Sequence, residues 1–216
     1  MFNSLVIRII IIIFFIFFGY NIIFIILTKR RNDVKRKDYN DHLKINPKKP
    51  NRFARFGVII LNIFIVIACV NIFFYELFTR YIPRINFFFL TETLQVIGIT
   101  LAAAGNITLN ISYRELGVYW EYPIDGKKKK QKLVTTGIYA KIRHPIYLSF
   151  YLMCLGLLFI IQDWILLFLF IVGGIGLYLQ ALSEEKELIE AFPKEYKDYM
   201  KSTGRFFVKS RSYIRS

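Results

Sequence analysis

Long apolar stretches without a charged side chain alternate with short, strongly basic ones along this chain. Residues 9–18, 58–74 and 165–182 contain no Asp, Glu, Lys or Arg, and each lies in a segment of about the 20 residues that cross ~30 Å of hydrocarbon. The pattern predicts an all-α polytopic membrane protein with five transmembrane helices, at residues 5–27, 57–78, 87–109, 145–161 and 164–182.

A sixth helix is predicted after the last apolar segment. Between residues 183 and 199, apolar and aromatic side chains recur mostly three or four positions apart, with Glu and Lys between them, which is the spacing of an amphipathic helix. Serine often caps a helix N-terminus, so we expect this C-terminal amphipathic helix to begin at Ser183 and to be interrupted at Pro193. It should lie against the membrane surface or the helical core.

Basic residues are concentrated in three of the connections. The chain has a formal net charge of +15. Residues 29–56, 112–144 and 183–216 hold eleven, eight and eight Lys or Arg, whereas the turns at 80–86 and 162–163 hold two and none. The positive-inside rule then predicts that the N-terminus lies outside and the C-terminus lies in the cytoplasm. Basic residues placed this way are typical of contact with anionic lipid headgroups, so the charge does not indicate a nucleic-acid partner.

The chain divides, on this pattern, into two regions. Residues 1–111 form an N-terminal three-span membrane region with a basic cytoplasmic loop at 29–56. Residues 112–216 form a C-terminal core that comprises a cytoplasmic loop, a helical hairpin at 145–182 and the amphipathic tail. Cys69 and Cys154 lie within apolar segments and the chain has only two histidines, so we expect no metal site. Glycines 173, 174 and 176 lie inside the fifth apolar segment, where small residues favour close helix packing.

Two polar clusters flank the predicted hairpin. Arg143 and His144 directly precede its first helix, and Glu184 and Glu185 directly follow its second. A hairpin returns to the face of the bilayer from which it left, so the two clusters are expected to meet at the cytoplasmic surface. An imidazole can exchange a proton near neutral pH, and carboxylates can bind hydroxyls or an ammonium group. Each cluster also has a simpler interpretation. The first could be an ordinary helix start, and the second could be an ordinary first turn of a helix. Spacing alone does not decide between these interpretations and a functional site.

The two polar clusters are part of a longer sequence motif. The sequence Leu-Val-Thr-Thr-Gly-Ile-Tyr at 133–139, then Arg-His-Pro-Ile-Tyr at 143–147, an apolar hairpin and the glutamate pair at 184–185 strongly resembles the isoprenylcysteine carboxyl methyltransferase family and its phospholipid methyltransferase relatives. The resemblance covers residues 115–207 and marks the C-terminal region as a methyltransferase core. It implies S-adenosyl-L-methionine as cofactor, bound on an all-helical membrane scaffold.

Site residues carried over from that family fall into two groups. The resemblance implies catalytic roles for Arg143, His144 and Glu185. It implies cofactor contacts for a larger set, which comprises Gln131, Lys132, Leu133, Val134, Tyr139, His144, Pro145, Ile146, Tyr147 and Glu184. One departure concerns the substrate: eukaryotic members have an arginine associated with the substrate carboxylate where this chain has Gln180.

The function implied is that of an integral-membrane methyltransferase. Its expected acceptor is the C-terminal carboxylate of an isoprenylated cysteine, reached from the lipid bilayer, and the expected alternative is N-methylation of phosphatidylethanolamine or methylation of another small acceptor. A sterol-reductase-like membrane protein that uses NADPH typically needs more spans than this chain has. A membrane scaffold or transporter subunit is the non-enzyme alternative, but a transporter is expected to place ionisable groups within its spans, and these spans are almost free of them.

Overall fold

The computed structural model describes residues 4–40, 52–82, 84–85, 88–117 and 133–209. Every regular element in these ranges is helical. The helices are α1 (Ser4–Asn40), α2 (Arg52–Tyr81), α3 (Thr91–Leu116), α4 (Pro145–Ile161), α5 (Trp164–Ala191) and α6 (Glu195–Ser202), with short 3₁₀ helices at Phe88–Leu90 and Gly137–Ala140. The predicted all-helical class is confirmed for the part of the chain that the structure describes.

Within the described ranges, three helices are long and apolar enough to cross a membrane. They are Leu5–Thr28 within α1, the whole of α3 and the whole of α5, and two shorter apolar helices are Ile59–Asn71 within α2 and α4. Large apolar side chains such as Ile16, Phe17 and Phe168 are more than 60% exposed, as expected for helix faces that contact lipid. The chain is therefore a membrane protein with several apolar helices, whereas the count of five crossings stays a prediction.

The helices pack in two close pairs at glycine contacts. A Cβ atom at Gly98 of α3 would lie 2.7 Å from the carbonyl oxygen of Gly156 of α4, and one at Gly57 of α2 would lie 2.9 Å from the carbonyl carbon of Gly176 of α5. Only glycine allows backbones to approach this closely. The prediction of close packing through the glycines of the fifth apolar segment is confirmed at Gly176.

Buried amides link α1 to α3. Asn21 donates a hydrogen bond to the side-chain oxygen of Asn106 at 3.1 Å, and Asn110 donates one to the side-chain oxygen of Asn21 at 2.8 Å. In an apolar bundle such contacts satisfy groups that lipid cannot.

The two short turns of the bundle lie against each other. We call the polar residues at this end (Asn71, Arg84, Gln95, Gln162 and Asp163) the turn cluster. Arg84 Nη1 donates to the Ile161 carbonyl at 2.7 Å, and the Ile85 amide donates to the Gln162 carbonyl at 2.8 Å. Asp163 caps α5, because its side chain accepts from the amides of Ile165 and Leu166.

Several helix limits differ from the sequence-based expectation. α1 continues to Asn40, so the first part of the predicted loop at 29–56 is helical. α3 runs from Thr91 to Leu116 and passes through the predicted region boundary at residue 111. The prediction of Ser183 as a helix cap is wrong, since α5 continues without a break to Ala191. The interruption at Pro193 is confirmed, because proline cannot donate the next helical hydrogen bond and disfavours a helical residue before it.

Candidate active site

The candidate site is built at the start of α4. Pro145 is the first helical residue, where its missing N–H would have no helical partner in any case. His144 precedes it in a non-helical conformation (φ −123°, ψ 61°) and is only 6% exposed. The imidazole is therefore held under the protein surface at the end of an apolar helix.

A C-terminal segment, residues 203–206, pairs with the chain that leads into α4. The Arg143 amide donates to the Gly204 carbonyl at 2.9 Å, and the His144 amide donates to the Arg205 carbonyl at 3.0 Å. A side chain at Gly204 would overlap the carbonyl of Phe207. This backbone pairing fixes the positions of residues on both sides of the site.

Glu185 is enclosed by two arginines. Arg143 Nε donates to its Oε1 at 2.9 Å, and Arg205 donates to both oxygens, at 2.7 and 3.1 Å. Arg143 also donates to the Thr203 carbonyl, and Glu185 is 4% exposed. The hydrogen bonds with Glu185 raise the pKa of Arg205. Glu185 thus ties α5 to the chain before α4 and to the C-terminal segment.

Glu184, unlike Glu185, is bound by neutral side chains. Tyr147 and Gln180 both hydrogen-bond its carboxylate. His144 lies between the two glutamates, with Nδ1 3.7 Å from Glu184 Oε2 and Nε2 3.4 Å from Glu185 Oε1. Its ring stacks on that of Tyr147, with centroids 5.4 Å apart and planes 13° apart. These contacts fix the orientation of the imidazole.

Several buried polar atoms around this cluster have no hydrogen-bond partner within the described part of the chain. They include Tyr139 Oη, Gln180 Oε1 and Tyr196 Oη, whereas His144 Nε2 lies 3.4 Å from Glu185. Burial raises the pKa of the Tyr139 hydroxyl, as it does for Tyr199, so both remain neutral donors. Tyr199 Oη donates to the Tyr139 carbonyl at 2.5 Å. Buried polar atoms are rarely left unpaired, so those of Tyr139 and Gln180 are candidates to bind a polar ligand.

An open groove of about 670 Å³ lies beside the cluster. Leu133 and Thr135 form one wall, and residues of α6 and the C-terminal segment, including Tyr199 and Thr203, form another. Thr203 accepts the hydrogen bond from Arg143 through its carbonyl. The groove therefore reaches from solvent to the residues that support the site.

The structure brings five of the twelve predicted site residues into one connected cluster, namely Arg143, His144, Tyr147, Glu184 and Glu185. Pro145 follows His144 as the first residue of α4, and the buried Tyr139 lies nearby. Elsewhere, Ile146 packs against the apolar core, Leu133 lines the groove, Val134 is half-buried beside it, and Gln131 and Lys132 lie outside the described residues.

Sequence reasoning missed the residues contributed by the C-terminal segment. Arg205 binds Glu185, and the Phe206 ring lies 6.2 Å from His144, 5.4 Å from Tyr151 and 6.3 Å from Tyr178, centroid to centroid. One signal was available: a carboxylate predicted at the end of an apolar helix needs a cation when it is buried, and Arg205 is among the basic residues that follow.

Comparison with known proteins finds similarity to a protein family and to individual proteins. Residues 94–195 match the family described as "Phospholipid methyltransferase". The Protein-S-isoprenylcysteine O-methyltransferase of Saccharomyces cerevisiae is 31% identical over 116 residues, which are 53% of this chain and 48% of the yeast protein.

The chain is also similar to a solved structure of the eukaryotic intramembrane Ras methyltransferase ICMT (isoprenylcysteine carboxyl methyltransferase). It superimposes with a TM-score of 0.54 at 21% identity, over 68% of this chain and 51% of that one, and so shows a shared fold. The chain spans about half the length of each of these two relatives. The resemblance read from the motif is confirmed: this chain is similar to an isoprenylcysteine carboxyl methyltransferase and to the phospholipid methyltransferase family.

Proposed function

We propose that this chain is an integral-membrane, S-adenosylmethionine-dependent methyltransferase that O-methylates the C-terminal carboxylate of an isoprenylated cysteine. The observation that carries the proposal is the meeting of His144, Tyr147 and Glu184 at the open end of the apolar α4–α5 hairpin. The similarity to a protein-S-isoprenylcysteine O-methyltransferase supports the same reaction.

The residues at the site suit this cofactor. S-adenosylmethionine supplies an electrophilic methyl group on a sulfonium, and it also carries an ammonium group and ribose hydroxyls. Glu184 and the unpaired Gln180 Oε1 are acceptors for such donors, and the unpaired Tyr139 hydroxyl can donate to an acceptor. Leu133 lines a groove that gives access from solvent. The proposed cofactor contacts remain the predicted set, namely Gln131, Lys132, Leu133, Val134, Tyr139, His144, Pro145, Ile146, Tyr147 and Glu184.

The proposed roles of the three predicted catalytic residues are mainly positional. A cysteine α-carboxylate has a pKa near ~3.5 and is ionised at neutral pH, so O-methylation needs no general base. Arg143 and Glu185 are bound to each other and to the C-terminal segment, which suits them to hold the site in shape. His144, ordered by Tyr147 and both glutamates, aligns the reacting groups and excludes water, which are the main contributions such a reaction requires.

The acceptor is proposed to arrive sideways through lipid. α4 has 17 residues, which at ~1.5 Å each reach about 26 Å, less than a ~30 Å hydrocarbon core. A narrow apolar crevice between α2, α4 and α5 is lined in part by Phe64, Tyr151 and Leu177. Tyr151 contacts Phe206, and Phe206 contacts His144. We infer that these contacting rings mark an apolar path along which the lipid tail reaches the polar cluster.

The second candidate function is N-methylation of a phospholipid amine, because residues 94–195 match a phospholipid methyltransferase family. An amine acceptor such as phosphatidylethanolamine would have to lose a proton before it could attack a methyl group. His144, 3.4 and 3.7 Å from the two glutamates, is the residue placed to take that proton. The two reactions therefore differ in what they require of His144.

One experiment separates these functions. Membranes containing the full chain are given cofactor with a labelled methyl group and, in parallel, N-acetyl-S-farnesylcysteine, phosphatidylethanolamine or unprenylated N-acetylcysteine. We expect transfer to farnesylcysteine to exceed transfer to N-acetylcysteine by well over about tenfold, because each buried CH₂ contributes roughly 0.8 kcal/mol. Transfer to the phospholipid alone would select the second reaction. Equal transfer to both cysteines would contradict lateral delivery, and absence of both transfer and cofactor binding would favour a scaffold.

A further inference from the structure

The two arginines that bind Glu185 differ in how far their side chains are exposed. Arg143 has an 8% exposed side chain and donates to Glu185 and to the Thr203 carbonyl. Arg205 has a 25% exposed side chain. Its Nε and Nη2 bind Glu185, and its Nη1 donates to the Tyr178 hydroxyl at 3.2 Å. Arg205 therefore presents the more accessible guanidinium edge of the site.

That edge lies beside a part of α5 that faces out of the bundle. Tyr178 is 42% exposed, and the Arg205 guanidinium carbon lies 5.3 Å from the centre of its ring. Phe206, the next residue, contacts Tyr178 on one side and His144 on the other. A molecule that reaches His144 from the apolar side of Phe206 would pass close to Arg205.

The two glutamates of the site have different kinds of partner. Arg143 and Arg205 share the single carboxylate of Glu185, while Glu184 is bound by Tyr147 and Gln180. Arg205 therefore shares its carboxylate with a second arginine. The Tyr178 hydroxyl on Nη1 is a neutral partner, and an anion in its place would form a charge-assisted bond of about twice the strength. Arginine is suited to this because its planar fork matches carboxylates and phosphates.

We propose that Arg205, with Tyr178 beside it, binds the anionic group of the membrane acceptor and so determines acceptor specificity. This inference rests on the proposed function and adds to it: the acceptor carries an oxyanion, either a carboxylate or a phosphate, next to its lipid tail. Arg143 and Glu185 hold Arg205 in place, and the apolar path along Phe206 receives the tail.

The test measures binding, so that it does not depend on turnover. The purified full chain is saturated with S-adenosylhomocysteine, and calorimetry compares N-acetyl-S-farnesylcysteine with its uncharged carboxamide. A second pair compares phosphatidylethanolamine with diacylglycerol of the same acyl chains. We expect the parent to prefer the member that carries a carboxylate or phosphate oxyanion, in one of the two pairs, by about tenfold or more. Arg205→Gln should reduce that preference to about one, and Arg205→Lys should keep part of it. The pair that responds identifies the anion as carboxylate or phosphate.

Controls distinguish recognition from structural support. Arg80→Gln removes an equal charge from an exposed position at the other end of the bundle and should leave the preference unchanged. If Arg205→Gln keeps the parental preference in both pairs, or if the parent has none, the proposal is wrong. A loss of S-adenosylhomocysteine affinity in Arg205→Gln, equal to its loss of acceptor affinity, would assign Arg205 to supporting Glu185 only. Should Arg205→Gln not fold, Arg205→Lys must still show a reduced preference.

The proposed function is tested separately by methyl transfer in the parent. If the parent transfers no methyl group to either acceptor, the proposed reaction fails, while the binding preference still reports on Arg205.

Discussion

Both ends of α4 carry a buried arginine–carboxylate pair, and the two pairs are bound in different ways. In the turn cluster, Arg84 donates to the Ile161 carbonyl, Asp163 accepts from two amides at the start of α5, and Gln95 donates to the Ile160 carbonyl. At the other end, Glu184 and Glu185 are bound by side chains. The turn cluster satisfies backbone groups that lipid cannot, which is a structural task.

The cluster at the candidate site, by contrast, lies near polar atoms that remain free to bind a ligand. Tyr139 Oη and Gln180 Oε1 are buried near Glu184 without a hydrogen-bond partner, and an open groove reaches Tyr199 and Thr203, which bind Tyr139 and Arg143. The turn cluster also has an oxygen without a hydrogen bond, Asp163 Oδ2, but the Asp163 side chain is fully buried and this oxygen lies 3.8 Å from Arg84. A buried charge pair alone therefore does not indicate a ligand site, whereas unpaired acceptors beside an accessible groove do.

The largest expected effect concerns the sides of the membrane on which the two clusters lie. In a variant with Cys69 and Cys154 replaced by alanine, we expect single cysteines at the exposed positions Trp164 and Lys201 to be labelled from opposite sides of sealed vesicles by a membrane-impermeant reagent. Lys201 should react from the cytoplasmic side, as the distribution of basic residues predicts. Labelling of both positions from one side would contradict the predicted topology.

Removal of the turn-cluster carboxylate should mainly affect stability. Asp163→Ala leaves Arg84 buried without its ion-pair partner and removes a helix cap, which we expect to cost about 3 kcal/mol or more in unfolding free energy. Asp163→Asn keeps a good capping residue and should cost less. Denaturant unfolding in detergent measures both. S-adenosylhomocysteine affinity of the folded protein should not change, and a large loss of affinity would place the turn cluster in the ligand site.

Much of this comparison could be predicted from sequence, because proline and charge interrupt apolar runs at defined points. Pro145 and Asp163 delimit α4 as expected, and the hairpin then had to bring Glu184 towards His144. The continuation of α5 through Ser183 was missed because serine is compatible with both a helix cap and a helix interior. The pairing of Arg143 with Gly204 was out of reach, since it joins segments 61 residues apart through backbone groups, which leave no periodic signal in side-chain type.

Loss of the Glu184 charge should mainly affect cofactor binding. We expect Glu184→Gln to weaken S-adenosylmethionine binding by about 10- to 100-fold, or about 1.5 to 3 kcal/mol, because a charge-assisted hydrogen bond in a partly buried site is lost. His144→Ala should have a comparable effect. Calorimetry on detergent-purified protein measures the affinity, and Glu190→Gln, exposed further along the same helix, is the matched control. Parental affinity in Glu184→Gln would show that Glu184 does not contact the cofactor.

The smallest expected effects come from removing one hydrogen bond at each end of α4. Tyr147→Phe removes the donor to Glu184 but keeps the ring that stacks on His144, and Gln95→Met removes the donor to the Ile160 carbonyl within the turn cluster. Each change should cost about 1 kcal/mol, but in different measurements. Since Gln180 still binds Glu184, Tyr147→Phe should lower cofactor affinity about fivefold and leave the melting temperature nearly unchanged.

Gln95→Met should do the reverse, lowering the melting temperature by a few degrees with parental affinity, because its buried bond joins α3 to the end of α4, away from the site residues. If both variants lost only stability, the hydrogen bonds of Glu184 would be structural like those of Asp163. The distinction between the two ends would then rest on the unpaired atoms of Tyr139 and Gln180 alone.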